Sequence, residues 1–520
     1  MRLSERHLRR GAIGLAIAGF LLAGCGDNSA EQQKQAAEIA KGIEDYLTLI
    51  EVPDQPIRIR HDKVTVTPTE DGKSFQVAIT NVRYGTDKDA RATFGEIDYR
   101  LTPQGDDQYL VSDLKTPKEM PMLGADGKPE AVFKFETTAF SATWSKPLQN
   151  FLKFDWQVKD FAVTAEGKPG ALVQIATAAI AGEGKESVKG RLDTTSTISL
   201  NGLAASDPTD GTNFKLDKLT GKVAAEHLDF PAYRQMMEKL NALTPKFSGA
   251  KPTGDGTTPP SVPAVTDEDR KALADLLRGF PNLMSAYGYD FTAEGLTVTD
   301  AQGGAVATLS RGGMAFGLKG IDTDHAEANF GLSHDGLALS GPEFADPLMK
   351  AALPKSGKLS LVATDLPIPS LVEVVAKNLP ELTSADPEVA QGGQFMMMGA
   401  LMSALSQSTI KLRIDPSEIV SEQAKLTADG DLKLALQTPQ KAVGVINFAL
   451  FGLDDLIALA SSLAEQNPEA GQAVGVMQMV KGMAQRETGT DGKPVDKYKV
   501  DLTETGQMLV NGKSLDQMAP

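Results

Sequence analysis

Short stretches of alternating apolar and polar residues, set between glycine turns, run through most of this 520-residue chain. From Ile57 to about Thr220 they follow one another closely. Val64-Thr-Val-Thr, Phe75-Gln-Val-Ala-Ile, Ala131-Val-Phe-Lys-Phe and Phe154-Asp-Trp-Gln-Val have period two or nearly so. Side chains on a strand point to alternate faces, so this period predicts half-buried strands of an antiparallel sheet. Asp71-Gly72, Gln104-Gly105, Asp126-Gly127 and Glu166-Gly167 supply the turns. The pattern returns later in Leu296-Thr-Val-Thr, Ala305-Val-Ala-Thr-Leu and Ala326-Glu-Ala-Asn-Phe-Gly-Leu, the last with apolar residues at 326, 328, 330 and 332.

The segment 247–265 (FSGAKPTGDGTTPPSVPAV) separates the two sets of strands. It is rich in Pro, Gly, Thr and Ser and nearly free of large apolar groups, so it reads as an extended linker or a long surface loop. Thr266 is placed to cap a helix whose first turn holds Asp267, Glu268 and Asp269, where the helix dipole favours negative charge. Leu273, Leu276 and Leu277 form its apolar stripe.

One module recurs three times: a glycine, a strand of about six residues, a short corner, then an amphipathic helix. Gly221 to Pro231 leads into Ala232–Leu240, Gly357 to Pro367 into Ser370–Leu379, and Gly444 to Asp454 into Asp455–Leu463. Pro231, Pro369 and Asp454 stand at helix starts, where unpaired N–H groups tolerate proline and favour acids. The predicted fold is therefore α+β and β-rich. Long antiparallel sheet in two lobes, 56–246 and 266–520, carries strand-to-helix modules that cover one apolar face or an open edge.

The only cysteine, Cys25, leaves no disulfide available within the chain, so stability must come from packing. The net charge is −16. Four arginines lie before Cys25 against the single Glu5, so the chain beyond residue 24 is more acidic still. That balance argues against nucleic acid and against a broad electrostatic dock on anionic lipid. Residues 25–55 read as a tether, Gly26 to Ala30, and then a helix from Glu31 to Ile50. Ala36, Ile39, Ala40, Ile43 and Leu47 form its stripe, and Pro53 and Pro56 end it.

Ahead of Cys25 stand Arg2, Arg6, Arg9 and Arg10, then an apolar run from Gly11 to Leu22, then Ala23 and Gly24. The run is too short to span about 30 Å of hydrocarbon. Leu22-Ala23-Gly24-Cys25 resembles the lipobox of a bacterial lipoprotein signal peptide, residues 1–24. The resemblance implies acylation of Cys25 and cleavage before it, with the protein held at the periplasmic face of a membrane by acyl chains such as palmitate. Gly26 after the cysteine fits transfer to the outer membrane. The C-terminal run from Tyr498 to Gly512, strand, Thr505-Gly506 turn, strand and Asn511-Gly512, resembles YdgA-like bacterial envelope proteins. That likeness implies a β-rich periplasmic protein with membrane attachment, akin to the groove-forming AsmA-like proteins. It brings no catalytic residues.

Little else in the chain announces chemistry. His61, His227, His325 and His334 form no HExxH pair or Cys/His cluster, so no zinc spacing is present. Ser333-His334-Asp335 are neighbours on a strand and point to opposite faces, which a triad cannot do; Asp335-Gly336 reads as a hairpin turn. Gly506 to Lys513-Ser514 misses phosphate-loop spacing by one residue. Asp322-Thr-Asp324 and Asp429-Gly-Asp431 lack the calcium loop's closing Glu and read as solvated turns. Two methionine-dense helices stand out. Met396, Met397, Met398 and Met402 lie in one, and Met477, Met479 and Met483 in the other. Methionine is flexible and polarizable, and suits either adaptable core packing or contact with lipid tails.

The expectation is thus a non-enzymatic envelope lipoprotein with no cofactor and no metal. It binds or shields an apolar ligand such as lipid, with those seven methionines as candidate contacts. The alternative is a structural or assembly factor contacting another envelope protein. A hydrolase would need residues that converge only in space.

Overall fold

A computed structural model of the chain describes residues 28–514 except 51–57, 86–89, 106, 124–127, 149, 168–169, 189, 208–209, 248–264, 342–343, 385–386, 407, 436–440, 466 and 490–491. Cys25, Asp126-Gly127 and nearly all of the 247–265 segment lie outside the described residues.

α1 (Asn28–Ile50) comes first. β1 (Arg58–Arg60), β2 (Lys63–Pro68), β3 (Phe75–Gly85), β4 (Ala90–Gly105), β5 (Gln108–Lys115), β6 (Glu119–Leu123) and β7 (Pro129–Ser145) follow. β8 (Asn150–Ala165), β9 (Val173–Val188), β10 (Arg191–Ser206) and β11 (Asn213–Leu228) lead into α2 (Phe230–Phe247) and α3 (Asp267–Gly279). Next come β12 (Ala286–Thr299), β13 (Ala305–Lys319), β14 (Ala326–Asp335), β15 (Ala338–Leu339), α4 (Pro347–Ala352), β16 (Ser356–Leu366), α5 (Ile368–Leu382) and α6 (Pro387–Ser406). β17 (Thr409–Val420), β18 (Lys425–Ala435), β19 (Lys441–Phe451), α7 (Leu453–Leu463) and α8 (Pro468–Gly482) precede the last strands. These are β20 (Gln485–Thr488), β21 (Pro494–Leu502), β22 (Met508–Val510) and β23 (Lys513–Ser514).

All the strands belong to one antiparallel sheet in which nearly every strand pairs with its sequence neighbour. β1 and β2 share one edge of β3, β5 and β6 fill the space between β4 and β7, β14 and β15 share an edge of β13, and β20 and β22 share an edge of β21. β11 pairs with β12 from Asn213↔Thr299 to Glu226↔Ala286. The strands on either side of the 247–265 segment are therefore hydrogen-bonded parts of a single sheet. Its central strands, β7 to β11, are 16 or 17 residues long. At about 3.3 Å per residue they extend for roughly 50 Å.

Strands of this length are bent by bulges. Asn81, His227 and Asp365 adopt left-handed backbone, with φ of 52°, 53° and 61°, and each coincides with a break in register. Asn, Asp and His tolerate that conformation better than most residues, and a bulge there re-aims the strand. Asp429-Gly430-Asp431, read from sequence as a turn, lies instead in the middle of β18, paired with Val445, Ile446 and Asn447. Glycine serves there because the neighbouring backbone comes close: a Cβ on Gly430 would collide with the Val445 carbonyl.

The three strand-to-helix modules form as β11–α2, β16–α5 and β19–α7, with Pro231, Pro369 and Asp454 each second in its helix. Their covering of the apolar face is confined to strand ends. Phe230, Tyr233 and Met236 of α2 close over Ala225 and Leu318 at the ends of β11 and β13. α3 packs on α5 through Leu273, Ala274, Leu277, Ala376 and Leu379. The helix that lies along the sheet is α1. Its Ala36, Ile39, Ile43 and Leu47 pack against Phe75, Val77, Ile79 and their neighbours.

α3 begins with the expected cap. Thr266 Oγ1 accepts from the Asp269 N–H at 3.1 Å, and the Asp269 carboxylate accepts from the Thr266 N–H at 3.0 Å. Lys246 at the end of α2 donates to Asp269 at 2.6 Å. That ammonium, and then the Thr266 groups, hold the Asp269 carboxyl down at about 2. An unfolded aspartate takes up its proton near pH 3.8, before the folded one does. The stabilisation is thus complete above that pH and is lost as pH falls towards 2. Asp269→Asn is expected to lower the melting temperature at pH 7 and to flatten its fall between about pH 4 and pH 2, which parallel thermal scans of both proteins check. Gly452, at the β19–α7 corner, has φ 77°, and a Cβ there would collide with the Gln423 carbonyl. Gly452→Ala should cost about 2 kcal/mol or more, against about 1 kcal/mol for Gly506→Ala, whose φ is 78° but which faces open space. Denaturant midpoints of the two variants test the difference.

Candidate ligand-binding face

In an antiparallel pair, residues directly opposite one another share a face, so the register defines rows that cross the sheet. One row begins Pro68, Phe75, Leu101, Val111, Ala142, Phe154. It continues through Gly182, Ser196, Val223, Tyr289, Phe316, Phe330. It ends Leu361, Ile414, Gly430, Ile446, Val500, Val510. From β2 to β22 the row holds no charged residue, and its only hydroxyls are those of Ser196 and Tyr289. The adjacent row on the other face reads Gln76, Arg100, Ser112, Ser141, Asp155, Ala181, Thr197, Lys222, Asp290. The sheet therefore has an apolar side and a polar side over its whole width.

Burial along the apolar side is uneven. Under α1, Phe75 and Val77 are 2% and 0% exposed. Across β12 to β17 no comparable buried cluster lies on the face among the described residues. Tyr287, Met314, Phe330, Leu332, Leu359 and Ile419 are exposed there, Leu332 to 47%. Met314, Leu332 and Leu359 are neighbours in register, as are Tyr289, Phe316 and Phe330. The Tyr289 ring centroid lies 5.5 Å from that of Phe316 and 5.8 Å from that of Phe291. An exposed apolar surface of this kind marks a binding site more often than chance composition does.

Two glycines level the face. A Cβ on Gly182 would collide with the Phe154 ring, and one on Gly221 with the Phe291 ring. Each ring lies flat over a neighbouring strand's backbone, which spreads apolar area sideways and leaves no gap. Two polar atoms on this face have no hydrogen-bond partner: His334 Nδ1 and Tyr498 Oη. Burial, and secondly the Asp496 charge, push the Tyr498 hydroxyl up to about 12, so it stays protonated. Both atoms are buried within the sheet side chains.

The methionines sit apart from this surface. α6 precedes β17 and α8 follows β19 through α7, so the two helices are at opposite strand ends. Met396, Met398 and Met479 are exposed; Met397, Met402, Met477 and Met483 are half-buried. The cleft that α6 helps to line, about 880 Å3, takes Ala400, Ser403 and Ala404 from that helix and is otherwise mostly polar, with Pro367 and Val374 among its walls. In it Lys411 donates to Asp365 at 3.0 Å and His325 Nδ1 is 3.3 Å from the same carboxylate. Lys411 first, and then His325, hold the Asp365 carboxyl below its ordinary value. Ser333, His334 and Asp335 end β14, and the chain turns at Gly336 into β15, which pairs back on β13. Sequence reasoning missed one contact: Ser285 Oγ lies 2.9 Å from His227 Nδ1, although the residues are far apart in the chain. Asp193 accepts the backbone N–H of His227, and neither His227 nor Ser285 lines the polar cleft. Among the described residues no three His, Cys, Asp or Glu side chains gather to hold a metal ion, and no helix is long and apolar enough to cross a membrane.

No family model, no curated protein and no solved structure matches this chain. The site has to be judged on its own geometry. If the rings level the face as described, Gly182→Ala should cost about 1–3 kcal/mol by forcing Phe154 out of place, and Phe154→Leu should recover part of that loss. A double-mutant cycle of denaturant midpoints checks it, and additive losses would refute the packing account.

Proposed function

We propose that this protein is a membrane-anchored envelope lipoprotein, tethered through acylated Cys25, whose apolar sheet face shelters acyl chains of lipid. The observation that carries the reading is the uncharged, largely apolar row from β2 to β22, interrupted at Ser196 and exposed across β12–β17. A hydrocarbon chain laid across the strands meets an apolar side chain about every 4.8 Å. The chain gains roughly 0.8 kcal/mol for each methylene taken from water, without a specific hydrogen bond.

A second reading, contact with another envelope protein, is favoured by α1. That helix lies on the same face and buries Ala36 and its neighbours there, so the face accepts an amphipathic helix.

The test is mass spectrometry of an organic extract from residues 26–520, exported without the anchor. Near-stoichiometric lipid is expected from the parent protein. Met314→Lys with Leu332→Glu should reduce it at least tenfold with little loss of melting temperature, because both side chains are exposed in the free protein and the new charges are opposite in sign across the pair. A lipid-free parent would overturn the sheltering reading and favour a protein partner. Acylation of Cys25 is read separately, from the mass of the N-terminal peptide.

A further inference from the structure

We propose that the outward face of α6 docks on the surface of a lipid bilayer. The proposal goes beyond the sheltering of ligand by the sheet, and of that reading it rests only on the membrane anchor at Cys25.

From Val389 to Ser406 the helix contains no charged residue. A helix this rich in apolar residues is ordinarily buried, yet only one side of α6 is, and its polar Gln391 and Gln394 are exposed. It crosses α5 at Gly393, where a Cβ would come within 2.7 Å of Glu381 Cβ, and Ala400 and Ala404 on that side line the polar cleft. The opposite side carries Phe395, 73% exposed, with Met398 at 57% and Gln391 exposed beside them, while Met396, 56% exposed, stands at the edge nearer Ala400. Gly392 and Gly399 on this side face open space. The result is an uncharged strip of Gln391, Phe395, Met398 and Met402 at helical spacing, about 17 Å long at 1.5 Å per residue.

Size and attachment select the occupant. A strip roughly 17 Å by 10 Å is far below the about 800 Å2 per partner that a stable protein interface buries. A second copy docking by this strip alone would therefore hold poorly. A bilayer needs no matching partner surface, and the anchor keeps it at high effective concentration. The absence of lysine and arginine on the strip points to insertion of apolar side chains, independent of salt.

The chain's entry point agrees. Cys25 stands three residues before α1. Gln32 in the second turn of α1 donates to Gly72 O at 3.1 Å, in the turn between β2 and β3. Followed through the register, those strand ends are the ends at which β17 starts and α6 attaches. Across the fold, α8 exposes Val476 and Met479 but stands at the opposite strand ends, away from the N-terminal end of α1.

The test places a reporter on the strip. Phe395→Trp is made in the acylated full chain and reconstituted into vesicles of phosphatidylethanolamine and brominated phosphatidylglycerol. The emission added over the parent chain should shift to the blue and be quenched. In the unacylated chain, Phe395→Ser with Met398→Ser should weaken partition into the same vesicles at least tenfold, at low and high salt alike, with unchanged circular dichroism. Unmoved emission from an acylated chain would overturn the proposal. So would a concentration-dependent blue shift without lipid, which would assign the strip to a second copy. An N-terminal mass lacking acyl groups defeats the anchor reading alone; quenched emission in such a chain would still support docking of α6.

Discussion

Everything in this structure depends on the antiparallel register being carried without a slip of face from β2 to β22. Side-chain period on a strand is two, so a one-residue slip at any pair would send the following strands' apolar residues to the polar side. The register passes through bulges at Asn81, His227 and Asp365 and still delivers Phe75, Phe154, Tyr289, Leu361 and Ile446 to one face. Residues able to adopt left-handed backbone stand where the strands must bend, and the bend keeps the face continuous.

That continuity raises a problem which the fold answers only in part. A sheet with one apolar side needs a second layer. α1 supplies it over β2 to β8, and the modular helices supply it at strand ends. Over β12 to β17 the layer is incomplete, and Met314, Leu332 and Leu359 remain in contact with solvent. Leaving large apolar side chains exposed in the free protein lowers its solubility, and occupation by an amphiphile would remove that cost. The polar side carries paired charges such as Arg83–Asp62 and Lys134–Glu119, which keep the acidic chain soluble and give little stability of their own.

Charge is used more firmly at the far end. Asp496, 2% exposed, meets Arg486, which also pairs with Asp454, and Lys481 of α8 joins Asp454. The Arg486 and Lys481 contacts hold the Asp454 carboxyl below its ordinary value. These residues tie α7, α8, β20 and β21 together beside the buried Leu453, Ala460, Ala470 and Val495.

The local pieces of this molecule were legible in the residues. Alternation and glycine turns marked strands, Thr266 with Asp269 marked the start of α3, and a glycine, a strand and a corner marked β11–α2, β16–α5 and β19–α7. Each is set by neighbours within a few residues, through propensity, capping and side-chain period. Other features required the tertiary structure. The pairing of β11 with β12 across the 229–285 excursion, the place of Asp429-Gly430-Asp431 inside β18, and the Ser285–His227 contact depend on residues distant in sequence. The same holds for the open apolar face. Leu332 and Val77 are both apolar residues on alternating strands, and nothing near either says that α1 will cover Val77 and leave Leu332 exposed. Alternation assigns a side chain to a face, but exposure depends on what packs over that face, and distant parts of the chain decide that.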